Sequence, residues 1–263
     1  MSMIKEERLV KIEEYINSCR FASIDALVAY VGVSKPTIRR DLNELYSRGK
    51  IHFVRGGATS IAGSQTEKSA TSFETGVPAS SGALLAKQRI AAEAAKLIQP
   101  GDTIFLCAGR TTREMVKHLR EMRELKVVTN DFFIAGELYR CEGVSVMIAG
   151  GEVRAVYGMP FSCGYAAEDF INKLRVNTVF LSCDSVDAQT GCYISSPHEV
   201  GLMRGVLAAA SKHVVMADHE KFSQSAFVSI CSINDIDVLI SDTDLSPEIR
   251  ALLAKTSIQT IYA

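Results

Sequence analysis

The chain reads as an α/β protein in two unequal parts, a small, mostly helical N-terminal head and a larger domain built on a mostly parallel sheet. Three observations predict this. Apolar residues recur every three or four positions through Ile4–Cys19 and Ile38–Leu45, the period of amphipathic helices. Residues 59–83, TSIAGSQTEKSATSFETGVPASSGA, lose that period and are rich in Ser, Thr, Gly and Ala, the composition of a flexible linker. From Leu84 short apolar runs alternate with helical spacing, as expected of strands buried on both faces and separated by crossover helices. At 263 residues, 47% hydrophobic and 22% charged, the chain has material for two domains and a sizeable core. That balance excludes a mainly disordered protein.

Residues 1–58 are read as the head. Ile4, Leu9, Ile12, Tyr15, Ile16 and Cys19 mark a helix over 4–19. Phe21-Ala22-Ser23 follows as a connector, with Ser23 capping a helix that runs to Val31. Gly32-Val33 makes a tight turn, because glycine accepts the positive φ that ends one helix and redirects the chain. Ser34 caps a third helix, with Pro36 tolerated in its first turn, where its missing N–H has no partner to lose. Ile38, Leu42 and Leu45 form the buried stripe, Gly49 ends the helix, and Lys50–Val54 with Gly56-Gly57 forms a hairpin. Three helices and a hairpin in this order make a winged helix-turn-helix.

Residues 84–263 are read as the α/β domain. A helix covers 84–98 and Pro100-Gly101-Asp102 turns the chain. Strands are expected at Thr103–Cys107, Lys126–Thr129, Val144–Ala149, Val176–Leu181, His213–Ala217, Val238–Ile240 and Ile258–Tyr262. Helices are expected at Thr112–Met122, Asp131–Cys141, Tyr165–Leu174, Glu199–Ala210 and Pro247–Lys255. Loops at 150–165 and 184–197 can reach a ligand or a neighbouring subunit.

Charge is unevenly placed. Residues 1–60 carry ten Lys/Arg and seven Asp/Glu, net +3, and the remainder carries nineteen and twenty-three, net −4. Within 35–58 the bases Lys35, Arg39, Arg40, Arg48, Lys50 and Arg55 face only Asp41 and Glu44. Lys35, Thr37, Arg39 and Arg40 point away from the apolar stripe in the first two turns of the third helix. An α-helix fits the major groove of B-DNA, and arginine forks suit guanine edges or phosphates. Arg48, Lys50 and Arg55 stand where a wing meets neighbouring phosphates. With Ser34, the expected DNA-binding set is Ser34, Lys35, Thr37, Arg39, Arg40, Lys50 and Arg55.

Gly32-Val33-Ser34, Thr37-Ile38-Arg39-Arg40-Asp41-Leu42, Gly49 and Arg55-Gly56-Gly57-Ala58 together resemble the head of DeoR-type bacterial transcription regulators. The resemblance implies double-stranded operator DNA as partner, bound by the third helix of a homodimer or larger homo-oligomer. Asp41 would repel phosphate, so it is expected to hold a neighbouring arginine instead.

Several loops of the larger domain lie where an α/β sheet places ligands, at the carboxyl ends of strands. They are Cys107–Thr112, Thr129-Asn130-Asp131, Ala149–Glu152, Ser182–Asp187, Glu199 and Asp218–Phe222. Each alone is ordinary turn or cap chemistry. Exposed N–H groups where a helix begins at Thr111 or Thr112 make an anion site. Arg110 either adds a bidentate fork to that site or is a surface arginine.

The order of these loops resembles the sensor domain of DeoR-type regulators, which shares its fold with ribose-5-phosphate isomerase. That resemblance implies a phosphorylated sugar or related metabolite as effector. Gly109, Thr111 and Thr112 would cradle its phosphate, with Asn130, Gly150, Gly151, Asp184, Glu199 and Lys221 lining the rest. The family pattern is altered here: Cys107 and Arg110 replace an acid and a hydroxyl, Asp131 a serine and Ser185 a glycine. Arg110 and Asp131 therefore join the expected effector set, with Asp131 an acceptor for hydroxyls. Both a sugar phosphate and a sugar acid stay open as the anionic sugar metabolite.

Other chemistry has little support. Seven cysteines, at 19, 107, 141, 163, 183, 192 and 231, include no C-x-x-C pair, so reduced, packed thiols are expected. The five histidines show no metal spacing. No P-loop, G-x-G-x-x-G or G-x-S-x-G occurs, so no cofactor, metal or catalytic residue is expected. No run approaches about 18 apolar residues, and MSMIKEERLVKIEEY mixes acids with bases, unlike a signal peptide. A cytoplasmic chain with no membrane partner is expected. The reading is a transcription regulator, a repressor of a carbohydrate-utilisation operon released by its ligand, with activation on the same scaffold open. The alternative is an isomerase-like enzyme using Glu199, Asp184 and Lys221 as acid and base. A basic helix-turn-helix has no role in such catalysis.

Overall fold

A computed structural model describes residues 5–19, 21–48, 50–54, 57–60, 81–156 and 159–263. Its contacts divide the chain into two units, 1–77 and 78–263. The first contains α1 (Lys5–Cys19), β1 (Phe21–Ser23), α2 (Ile24–Val31), α3 (Lys35–Ser47), β2 (Ile51–Val54) and β3 (Gly57–Ser60). The stripe on α3 is buried as its period requires. Ile38, Leu42 and Leu45 pack with Leu9, Ile12 and Ile16 of α1 and Leu27 of α2. The Ser23 hydroxyl accepts the Ala26 N–H at 3.1 Å and caps α2. Gly32, at φ +75°, closes that helix by donating its N–H to the Val28 carbonyl at 2.9 Å.

Three details of the head differ from expectation. Ser34 precedes α3 without a side-chain cap, its hydroxyl lying 3.0 Å from that of Thr37. Phe21–Ser23 is a strand, not a connector, in an antiparallel sheet of order β1-β3-β2. Three residues are too few to display alternation, so only pairing with β3 reveals it. β3 also takes Thr59 and Ser60 from the expected linker, and Gly49, Arg55, Gly56 and 61–80 lie outside the described residues.

The second unit opens with α4 (Ser81–Ala95), which starts before Leu84 and ends before residue 98. There follow β4 (Thr103–Leu106), α5 (Arg110–Arg113), α6 (Val116–Leu119), β5 (Leu125–Thr129), α7 (Phe132–Leu138) and β6 (Val144–Ile148). Next come β7 (Glu152–Val156), β8 (Met159–Cys163), α8 (Tyr165–Ile171), β9 (Val176–Leu181), β10 (Ser185–Asp187) and β11 (Gly191–Ile194). The chain ends with α9 (Val200–Ala209), β12 (Ala210–Met216), β13 (Val228–Ser232), β14 (Val238–Ser241), α10 (Pro247–Leu253) and β15 (Gln259–Tyr262).

All seven apolar runs become strands of one sheet, order β15-β14-β12-β9-β4-β5-β6. Every pairing in it is parallel. Alternate side chains enter opposite layers. Ile104 and Leu106 pack with Ile90 and Ala94 of α4, Leu119 of α6 and Ile134 of α7. Phe105 faces the layer of Ile171 on α8 and Leu202 and Val206 on α9. From β4 the chain builds outward through β5 and β6, then returns to place β9 on β4's other side. Strand order reverses between β4 and β9, and a crevice opens at their carboxyl ends.

Two expectations change here. The helix over Thr112–Met122 is two short pieces, α5 and α6. The segments expected as loops at 150–165 and 184–197 contain the β7–β8 hairpin and the β10–β11 pair, which β13 completes as an antiparallel sheet of order β10-β11-β13. Glu152–Ala155 are all exposed, so β7 has no apolar face to announce it.

Candidate nucleic-acid interface and effector cavity

The outward face of α3 carries exposed Ser34, Lys35, Arg39 and Arg40, with Thr37 half-buried. Four other cations of the head, Lys5, Arg8, Arg48 and Lys50, are matched by acids. Lys5 lies 2.5 Å from Glu44, and Arg48 bonds Glu6 at 3.1 Å and Glu44 at 2.5 Å. Lys50 lies 3.3 Å from Glu13. Arg39 and Arg40 form no hydrogen bond or ion pair among the described residues. Among the described residues, the charges of Arg39 and Arg40 on α3 are therefore uncompensated. Asp41 is 1% exposed and faces inward. Its oxygens receive Arg8 Nε at 2.6 Å and Nη2 at 3.0 Å, so the arginine it holds comes from α1, not from its sequence neighbours. Arg55 lies outside the described residues.

In the second unit a cavity of about 60 Å³ occupies the crevice beyond β4 and β9. Gly109, Arg110 and Thr111 line it after β4, Ser182, Cys183 and Asp184 after β9, and Lys221 after β12. Glu199 and Met203 close one wall, and Met159, Phe161 and Ile194 add apolar surface. A side chain at Gly109 would stand 3.1 Å from the Ser182 Cβ, so glycine permits the close approach of the two strand ends. Lys87 of α4 also lines the cavity, buried, with Nζ 2.5 Å from Asp218 Oδ2.

The charges at this cavity are unevenly matched. Lys221 is 8% exposed and forms no side-chain hydrogen bond or ion pair among the described residues. Asp184 accepts the Ser195 N–H at 2.7 Å. Burial, and secondly the charge of Asp184, raise the Glu199 carboxyl to about 7. Burial, and secondly Glu199, push the Cys107 thiol well up, so the cysteine in the acid's place is neutral.

Of the expected effector residues, the fold brings Gly109, Arg110, Thr111, Asp184, Glu199 and Lys221 together. The other five are not among the residues lining it, and three of them are engaged in structure. Thr112 donates its hydroxyl to the Cys107 and Gly109 carbonyls at 2.7 and 2.9 Å. Buried Asn130 accepts the Ala108 N–H at 2.8 Å and donates to the Ser162 carbonyl at 3.2 Å, tying the β4 loop to β8. Asp131 is fully buried, not an acceptor for ligand hydroxyls. It caps α7 through the Phe133 and Ile134 N–H groups and takes Arg113 Nε at 2.7 Å. Gly150 and Gly151 are exposed, and a Cβ at Gly151 would meet the Cys163 carbonyl at 2.4 Å. Lys87 was missed, because a lone lysine on a polar helix carries no signal until the fold sets Asp218 beside it.

A helix-turn-helix head followed by an α/β domain with a cavity lined by charged residues defines a DNA-binding regulator with a sensor. Residues 8–63 match the DeoR-like helix-turn-helix domain and residues 83–243 the DeoR C terminal sensor domain. The chain belongs to the DeoR family of transcription regulators. It is 32% identical to the transcriptional repressor AccR of Agrobacterium fabrum over 90% of both chains. It is 29% identical to the glycerol-3-phosphate regulon repressor of Escherichia coli over 98% of both. In fold it resembles the full-length sorbitol operon regulator SorC of Klebsiella pneumoniae (12% identity, 96% of this chain and 100% of that one, TM-score 0.42). It also resembles ribose 5-phosphate isomerase A of Methanocaldococcus jannaschii (18%, 54% and 55%, TM-score 0.38). No described helix is long and apolar enough to cross a membrane.

Proposed function

We propose that this chain represses a carbohydrate-utilisation operon from the cytoplasm and is released by an anionic sugar metabolite bound in the β4–β9 cavity. The observation that carries the effector reading is Lys221, a residue 8% exposed that lines the cavity with no side-chain partner among the described residues. An unpaired cation that opens on a cavity can form charge-assisted hydrogen bonds to an anion, and a ligand phosphate or carboxylate supplies one. Arg110 on the opposite strand end adds a second cation. The cavity suits one small charged group, since a single water needs about 10–15 Å³ on the same measure. That the related E. coli protein is a glycerol-3-phosphate regulon repressor supports a small phosphorylated ligand.

At the operator, Arg39 and Arg40 read the major groove and Ser34, Lys35 and Thr37 flank them. The protein works as a homodimer or larger homo-oligomer, its heads set about 34–36 Å apart to meet successive turns of duplex. Catalysis forms no part of this reading. A thermal-shift screen of the full chain against sugar phosphates and sugar acids tests it, because a ligand that binds only the folded state raises the melting temperature. A hit that releases operator DNA and is lost in Lys221→Gln is the expected result. Turnover of an aldose or ketose phosphate, or a hit indifferent to Lys221, would overturn it.

A further inference from the structure

Three buried cysteines, Cys183, Cys192 and Cys231, belong to one packed cluster beside the cavity, outside the roles given so far. In the antiparallel β11–β13 pair, Cys192 lies opposite Cys231, the last pair before the register shifts between Cys192 and Tyr193. Opposed Cα atoms in such a ladder are about 4.5 or 5.5 Å apart, within the roughly 4.4–6.8 Å that a disulfide spans. Cys183 lines the cavity, and its exposure is 4%, against 0% for Cys192 and 7% for Cys231.

We infer that Cys192 and Cys231 form a redox pair which a small hydroperoxide converts to a disulfide. Hydrogen-bond donation from the Cys192 thiol and N–H holds the Cys231 thiol below the ordinary range, and the thiolate is the reactive form. The Cys231 thiolate attacks the peroxide oxygen, the O–O bond breaks, and the departing oxygen takes up the proton Cys231 released. Cys192 then attacks the sulfenic sulfur. The S–S bond forms, the S–O bond breaks, and hydroxide leaves as water with the Cys192 proton. The two thiols lose two electrons and the peroxide gains them. The bond ties β11, whose Ile194 lines the cavity, covalently to β13.

The test uses the full chain and hydrogen peroxide, and needs no effector. After oxidation, alkylation and tryptic cleavage without reductant, mass spectrometry should find the 176–204 peptide joined to 222–250, lighter by two hydrogens. The link should vanish on adding a dithiol and in Cys192→Ser or Cys231→Ser, and persist in Cys183→Ser. A link that survives in Cys192→Ser overturns the assignment. So does loss of thiols without a link, or thiols left intact by peroxide that oxidises free glutathione in the same tube.

Discussion

Glu199→Gln should stabilise the sensor domain at pH 8 and change little at pH 5. In the folded chain the Glu199 carboxyl titrates at about 7, against an ordinary value of 4.5. Below the lower value it is protonated in both states and has no effect on stability. Between the two, the folded state keeps a proton that the unfolded state has released, so stability falls as pH rises. Above the upper value the penalty is complete. A shift of this size corresponds to about 3 kcal/mol, and little solvent screening reduces it because the residue is 9% exposed. Glutamine keeps the volume and the polar contacts but carries no charge. For a domain of this size the gain is roughly 6–12 °C in melting temperature. Melting curves of the full chain and the variant at pH 5 and pH 8 measure it. Equal differences at the two pH values, or a variant that melts below wild type at pH 8, would refute the reasoning.

The same carboxylate bears on the ligand. An anion that stabilises the protein should do so less as pH rises through 7, because ionised Glu199 repels it, and Glu199→Gln should flatten that dependence in a pH-resolved thermal shift. Arg39→Ala and Arg40→Ala should each weaken operator binding. Loss of a base contact would show as about 1–3 kcal/mol and relaxed preference at one position, and loss of a phosphate contact as a salt slope flatter by about 0.9. Lys50→Ala should flatten the slope less than either in salt titrations, because Glu13 already offsets its charge. Asp41→Ala should lower head stability by about 2–3 kcal/mol in circular-dichroism melts, since it strips a buried carboxylate from the Arg8 fork. Arg110→Ala should remove the ligand-induced shift while operator binding stays intact; a retained shift would make Arg110 a surface residue.

Much of the architecture was legible along the chain because the forces that build it act locally. The stripe of Ile38, Leu42 and Leu45, the Gly32 turn and the Ser23 cap each depend on residues a few positions apart. The seven strands of the parallel sheet were legible for a related reason. Burial on both faces demands uninterrupted apolar runs, and such runs stand out without knowledge of neighbours. Exposed or very short strands do not: β1 and β7 exist only through their partners.

The site divides along the same line. Loop position at strand ends, read with the family resemblance, pointed to Gly109, Arg110, Thr111, Asp184, Glu199 and Lys221, and the reversal between β4 and β9 gathers them. It pointed equally to Thr112, Asn130 and Asp131, whose polar atoms bond backbone or Arg113 instead. A polar residue in a loop serves a ligand or the fold according to which donors and acceptors lie within about 3 Å. Sequence spacing determined which residues face one another along a helix or strand. Only tertiary packing decided that Asp41 would meet Arg8, that Lys87 would meet Asp218 and that Lys221 would be left at the cavity without a counter-charge among the described residues, because electrostatic partners are chosen by distance in space and not by separation along the chain.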